Sequence, residues 1–171
     1  MRFIKLFLIG AVVLFLVVTV FSFIFPSHLR VSRAINIAAP REKVWREIED
    51  LHTWDSWNQF ISLSALTGKS FSSPSAGAGA FLRTDQLVVT IARSLPDSIR
   101  IDWDQVGGKH FKGGFNLMQL SSDSLTVQWY LDFRFRWYPW EKFGSMVYDQ
   151  KLGPLMEGSL TGLKHLMENS P

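Results

Sequence analysis

YDQKLGPLMEGSLTGLKHLME, residues 148 to 168, places Leu152, Leu155, Met156, Leu160, Leu163, Leu166 and Met167 at helical spacing. At ~100° per residue these side chains and Ser159 fall within an arc of about 140°, opposite Glu157, Thr161, Lys164, His165 and Glu168. The spacing predicts an amphipathic helix that needs a large apolar partner. Burying so many apolar side chains contributes roughly 10–20 kcal/mol gross, before the entropy of ordering them is subtracted. Gly158 and Gly162 sit at the shoulder of the arc, where each costs about 1 kcal/mol relative to alanine. They indicate close backbone approach, or room left open beside the helix for a pocket.

The chain upstream supplies the partner surface. Val31 to Ala38 alternates as a first strand, and Ala39-Pro40 stops it, with Pro40 suited to the first turn of a helix. Residues 41–51 then carry Val44, Trp45, Ile48 and Leu51 on one face, and Trp54 and Trp57 mark a second short helix on the same core. Thr67 to Gly79 reads as a strand running into a loop. Beyond it the pattern is an antiparallel meander: Leu87, Val89 and Ile91, then Ile99, Ile101 and Trp103, then a two-residue turn at Gly107-Gly108. Phe111, Phe115 and Leu117 continue the inward face, with a bend or bulge expected at Gly113. The longest run points Leu125, Val127, Trp129, Leu131, Phe133, Phe135 and Trp137 inward and Thr126, Gln128, Tyr130, Asp132, Arg134 and Arg136 outward. Tyr138-Pro139-Trp140 ends that run, and Glu141 to Val147 is a linking turn or short helix before the last helix. One apolar and one polar face match an α+β architecture, a curved antiparallel sheet wrapped around the C-terminal helix.

From Leu6 to Phe25 the chain reads LFLIGAVVLFLVVTVFSFIF without a charge, and twenty helical residues span about 30 Å, the thickness of a bilayer's hydrocarbon core. A cleavable signal sequence would have an apolar region of about 7–15 residues and then a small-x-small site. The nearest such match, Val20-Phe21-Ser22, lies inside the run. Residues 1–27 therefore read as a single-pass membrane anchor and 28–171 as the folded domain. Arg30, Arg33, Arg41, Lys43 and Arg46 after the span argue for a cytoplasmic domain. The short basic N-terminus before a long apolar run has the form of a signal anchor that exports the downstream domain, and this pattern favours the extracytoplasmic side.

Length and composition narrow the function. The 171 residues suffice for one domain with a sizeable core plus an accessory segment. No cysteine is present, which excludes a disulfide framework, thiolate metal sites and a cysteine nucleophile. The pI of 9.3 suggests nucleic acid only until the charges are placed. Setting aside Arg2 and Lys5 leaves 16 of the 18 basic residues against 15 acidic ones, scattered without a run, so no nucleic-acid partner is expected. Gly77-Ala78-Gly79 lacks the third glycine and the following helix of a dinucleotide fingerprint, and no cofactor is implied.

Ser32-Arg33-x-Ile35-x-Ile37-x-Ala39-Pro40, then Val44-Trp45, Ile48, Asp50-Leu51, Trp54 and Trp57-Asn58, resembles the START-like (SRPBCC) superfamily in its polyketide cyclase/dehydrase branch. Gly77-x-Gly79 and Gly162-Leu163-Lys164-x-Leu166-x-Glu168 extend the resemblance, which covers about Val31 to Glu168. It departs at Gln59, where the family often has proline. The resemblance implies a helix-grip fold with two short helices after strand 1, enclosing a cavity for lipids, sterols, polyketides or other apolar molecules. It implies no universal catalytic constellation.

The residues themselves show none either. His28, His52, His110 and His165 have no metal-ligand spacing, and no HExxH is present. Gly158-Ser159-Leu160-Thr161-Gly162 is not a GxSxG elbow and lies within a helix. Asp102 and Asp104 share the outward face of a strand, where solvation is expected rather than acid/base work. The candidate site is an apolar pocket between sheet and helix. Its expected walls are Ile99, Ile101, Trp103, Phe115, Val127, Trp129, Leu131 and Phe133 from the sheet, with Leu155, Gly158, Ser159, Gly162 and Leu163 from the helix. The same residues would equally serve as plain core, and Trp103, Trp129 and Phe133 have the bulk to fill the space. The leading expectation is a membrane-tethered binding module for a small apolar or lipid-like ligand. The alternatives are an enzyme of the cyclase/dehydratase type and a chaperone-like interaction domain.

Overall fold

The structure, a computed structural model, describes residues 2–24, 27–62, 67–135 and 139–169, with side chains defined outside 21–24 and 139–146. Phe25 of the expected span, and Arg136, Trp137 and Tyr138 at the end of the expected long strand, lie outside the described residues. Helix α1 (Arg2–Ile24) leads into β1 (His28–Ile37), followed by α2 (Arg41–Glu49), a 3-10 turn (Leu51–Thr53), α3 (Trp54–Trp57) and α4 (Gln59–Ser62). Strands β2 (Ser70–Phe71), β3 (Phe81–Arg83), β4 (Leu87–Leu95), β5 (Ser98–Gln105), β6 (His110–Ser121) and β7 (Ser124–Arg134) precede α5 (Pro139–Asn169).

The sheet is antiparallel throughout, in the order β1-β7-β6-β5-β4-β3-β2. The first strand therefore pairs with the last, Val31 opposite Leu131 and Ile35 opposite Val127, and α2 to α4 carry the chain across to the far edge. Along β7 strict alternation buries Leu125, Val127, Trp129, Leu131 and Phe133. On α2 the helical period buries Val44 and Ile48 against the same core. This is the helix-grip, α+β arrangement, with α5 gripped by a curved sheet.

Two local expectations are corrected. The ladder runs in register through Gly113, opposite Ile101 on one side and Leu131 on the other. A Cβ at Gly113 would come within 2.7 Å of Leu131 Cδ2, 2.8 Å of the Tyr130 carbonyl oxygen and 3.2 Å of Trp103 Nε1, so this glycine permits close approach of the β7 backbone and two inward side chains rather than a bulge. The irregularities fall instead between Ile91 and Arg93 and between Gln119 and Ser121. The turn at Gly107-Gly108 is wider than two residues. The Gln105 N–H donates to the Lys109 carbonyl at 3.2 Å, enclosing Val106 to Gly108, and only Gly107 takes a positive φ, of 68°.

The last helix is longer than its apolar period. It starts at Pro139, takes in the expected linker, and runs 31 residues through Pro154, which offers no N–H to the carbonyl one turn back. Met156, Leu160, Leu163 and Met167 are fully buried, while Leu152 and Leu166 are half-buried against the core. Polar contacts fix its seat. Arg33, on the inward parity of β1, donates to Glu157 Oε1 at 2.6 Å and pairs with Asp149 Oδ1 at 3.0 Å. Gly153 lies between these carboxylates, where a side chain would collide with the Arg33 guanidinium.

A Cβ at Gly114 would collide with the backbone carbonyl of Ile99 on the neighbouring strand. Gly114→Ala is therefore expected to destabilise the domain by about 1–3 kcal/mol, as overpacking does. Chemical denaturation of the two chains measures it, and equal midpoints would contradict the close β5–β6 approach.

Candidate ligand cavity

In an antiparallel meander alternate strand ends lie together, so the start of β4, the end of β5, the start of β6 and the end of β7 form one end of the sheet. A cavity of about 270 Å³ opens there beneath the first half of α5. The sheet contributes Trp103, Phe111, Leu131 and Phe133, the strand edge Leu87, and the helices Phe60, Tyr148 and Leu152. Gln86, Gln105 and Lys109 supply its polar groups. Alternation explains the wall, since Trp103 pairs with Phe111 across β5–β6 and the rings stack at 5.8 Å. Phe133 then contacts Phe111 at 4.9 Å and Tyr148 at 4.8 Å, closing an aromatic arc from sheet to helix.

The deep end is closed by packing. Phe60 lies 5.2 Å from Trp129 and 6.2 Å from Trp103, and Phe115 stacks on Trp129 at 5.2 Å. Trp54 and Trp57 meet Phe115 edge-on from behind. The aromatic bulk thus fills the middle of the fold and leaves the cavity at one end.

Of the expected wall, Trp103, Leu131 and Phe133 border this space. Ile99, Ile101, Phe115, Val127, Trp129 and Leu163 are fully buried core side chains outside its lining, and half-buried Leu155 is also outside it. The helix glycines face elsewhere. A side chain at Gly158 would collide with the Gln59 amide, and a Cβ at Gly162 would lie 3.0 Å from the Trp57 carbonyl oxygen. Close approach of α3 and α4 to α5 therefore accounts for both glycines. The Ser159 hydroxyl accepts the Gln59 N–H at 2.9 Å and donates to the Leu155 carbonyl at 2.7 Å, tying α4 to α5. Sequence reasoning missed Phe60, Leu87, Phe111, Tyr148 and Leu152 as wall residues. The i, i+4 spacing of Tyr148 and Leu152 on one helix face was the available signal.

Polar groups near the mouth are mostly engaged. Lys109 Nζ sits 5.4 Å above the Phe135 ring, and His110 Nδ1 is 2.6 Å from Asp104 Oδ1. Arg30 holds Asp132 through two 2.7 Å hydrogen bonds, which raise the guanidinium pKa above its ordinary value against an opposing desolvation effect. The Glu157 hydrogen bond does the same for Arg33, with Asp149 adding to it and desolvation opposing. Three indole N–H groups, of Trp57, Trp103 and Trp129, and the Asn58 side-chain amide nitrogen are buried without a partner among the described residues. Each such donor costs about 1–3 kcal/mol, and that of Trp103 belongs to the cavity wall. Among the described residues no three His, Asp or Glu side chains converge as a metal site.

A wider depression of about 720 Å³ lies at the other end, between α2 and the β4–β5 turn. Arg41, Glu42 and Arg46 line it, and Arg41 is bonded to the Pro96 carbonyl and to Asp97. Trp45, Leu95 and Pro96 line it as well, but it is an open surface hollow rather than an enclosed space, so the smaller, more enclosed cavity under α5 is the candidate site.

The sequence from residue 28 to 168 matches the family model described as polyketide cyclase / dehydrase and lipid transport. No curated protein sequence matches. Among solved structures, a START superfamily protein from Mycobacterium smegmatis is 17% identical, with a TM-score of 0.59 over 82% of this chain and 97% of that one. CalU16 from Micromonospora echinospora is 14% identical, with a TM-score of 0.57 over 83% and 76%. Truncated norcoclaurine synthase from Thalictrum flavum is 11% identical, with a TM-score of 0.59 over 84% and 96%. At these identities the likeness is one of fold.

Because the Trp57 carbonyl opposing Gly162 is backbone, Gly162→Leu is expected to lower the melting temperature while leaving the cavity lining untouched. Thermal unfolding checks the first part. An unchanged melting temperature would mean that α3 and α5 are not in close contact.

Proposed function

Because the chain belongs to the polyketide cyclase / dehydrase and lipid transport family, we propose that it is a membrane-tethered module that binds a small apolar or lipid-like ligand in the cavity under α5. The observation that carries this reading is the composition of the cavity. Apolar and aromatic side chains form its body, and Gln86, Gln105 and Lys109 are its polar groups. Pockets of this kind hold a ligand by apolar burial and orient it with a few polar contacts. The volume of about 270 Å³ sits just below the ~300–1,000 Å³ usual for drug-sized ligands. It suits a compact apolar molecule, or one apolar arm of a larger lipid, with an acceptor group turned toward Lys109 or a glutamine.

The tether is supported by α1. Its 23 residues extend about 35 Å at 1.5 Å per residue, enough to cross a hydrocarbon core of ~30 Å. None of its described residues is buried against the rest of the chain, and Phe3, Phe7 and Leu14 are among many large apolar side chains exposed along it. In water that surface would be a strong aggregation liability, whereas in lipid it is the stable state. A ligand store or carrier held beside the membrane is the function these two parts serve together.

The test uses the full chain in lipid nanodiscs with a diazirine-bearing fatty acid as probe. After illumination, cross-links are expected on peptides containing Phe111, Leu131 to Phe133 and Tyr148 to Leu152. Leu152→Trp, which fills the space with a ring, is expected to abolish them while the circular dichroism stays unchanged. Cross-links confined to α1, or undiminished in Leu152→Trp, would contradict ligand binding in the cavity.

A further inference from the structure

The irregularity in β4 places a charge where alternation would not. Val89 and Ile91 are buried on the inward face, and by strict period Arg93 would follow them into the core. The ladder instead shifts at Ala92, so that Ile91 pairs with Ile101 and Arg93 pairs with Arg100. Both arginines are then exposed on the outer face of the sheet, away from α5. Residues directly opposite on neighbouring strands have Cβ atoms about 4.5–5.5 Å apart, and like charges placed so destabilise the pair. Neither guanidinium has an ion pair or hydrogen bond among the described residues.

The two side chains border a hollow of about 420 Å³ on that face. Lys112 of β6 also borders it, again without an ion pair among the described residues. Tyr130 reaches it from β7 over Gly114, the residue that pairs with Arg100 on one side and Tyr130 on the other. A Cβ at Gly114 would come within 2.9 Å of the Tyr130 hydroxyl, so the glycine lets the phenol lie over β6. That hydroxyl makes no hydrogen bond among the described residues. The lining holds four cations, Arg30, Arg93, Arg100 and Lys112, against two carboxylates, Asp102 and Asp132, which leaves two positive charges. Asp132 is held by Arg30, and Asp102 stands opposite Lys112 in register, so the Arg93–Arg100 pair is the unbalanced part. The next acids along the strands are engaged outside the hollow, Asp97 by Arg41 and Asp104 by His110. Asp104 is four strand residues from Arg100, about 13 Å, beyond the ~8 Å over which salt screens exposed charges.

We propose that this hollow binds a small phosphate monoester, with the phosphoryl group held between Arg93 and Arg100. A monoester carries a charge of about −1.5 to −2 at neutral pH and three acceptor oxygens, which matches the two unbalanced positive charges. Guanidinium forks take such oxygens in pairs, and the Lys112 ammonium and Tyr130 hydroxyl supply further donors from β6 and β7. Binding also removes the like-charge repulsion across β4–β5. The site lies on the opposite face of the sheet from the cavity under α5 and is independent of the ligand read for that cavity.

Isothermal titration calorimetry of the full chain in dodecyl maltoside, an uncharged detergent, tests this with glycerol 1-phosphate, a monoester without an apolar arm for the cavity. Dimethyl phosphate, a singly charged diester like the phosphodiester of a membrane lipid, is the comparison at equal ionic strength. Saturable binding of glycerol 1-phosphate at one per chain is expected, about tenfold or more tighter than that of dimethyl phosphate. Arg93→Gln and Arg100→Gln are each expected to weaken it by about tenfold or more, and Arg46→Gln, on α2 outside the hollow, to leave it unchanged. Without the anion, Arg93→Gln should melt no lower than the parent chain, so that its lost binding is not lost folding. Absent binding, equal affinity for dimethyl phosphate, undiminished binding in Arg93→Gln and Arg100→Gln, an equal loss in Arg46→Gln, or an unliganded Arg93→Gln that melts below the parent would each overturn the proposal.

Discussion

The seating of α5 is the constraint on which the rest of the structure depends. Its middle is locked to β1 by Arg33, which reaches Asp149 and Glu157 across the gap left by Gly153. Its second half is pressed onto α3 and α4 at Gly158, Ser159 and Gly162, where backbone and amide groups replace side-chain bulk. Exposed ion pairs are individually worth little, about 0–1 kcal/mol. Here they act mainly by selecting one placement of a helix whose apolar burial supplies the stability. With the middle and second half fixed, the first half passes over the end of the sheet, and Tyr148 and Leu152 become a roof rather than core.

A second division runs through the aromatic side chains. Trp54, Trp57, Phe115 and Trp129 fill the centre, and Phe60 closes it. Trp103, Phe111, Phe133 and Tyr148 belong to the same contact network yet line open space. Partial filling of the grip leaves a small cavity at one end in place of a long tunnel. That position matters because the chain enters the sheet there from α1. The buried indole N–H groups without partners fit a core that uses tryptophan for volume and tolerates some lost hydrogen bonding.

Most of the fold was readable from the sequence because period and burial agree. The alternation along Leu125 to Phe135 and the helical spacing from Leu152 to Met167 predicted sheet face and helix face directly. The cavity was less readable, since an inward residue has the same pattern whether it meets a neighbour or a void. Ile101 and Trp103 share strand, face and burial, yet only Trp103 borders the space. Gly158 and Gly162 signalled close approach, but which element approaches depends on where α3 and α4 fold back. Arg33 had an available signal, a charge on the inward parity of an apolar strand, and its partners became identifiable only once β1 and α5 were juxtaposed.

The functional reading stands or falls on whether the space under α5 holds an apolar ligand. Native mass spectrometry of the full chain, purified from membranes and released from detergent in the gas phase, tests it most directly. A single small apolar adduct is predicted at one per chain, surviving conditions that strip loosely bound lipid. A spectrum of bare chain alone under those conditions, or a graded ladder of lipids of every class, would contradict it.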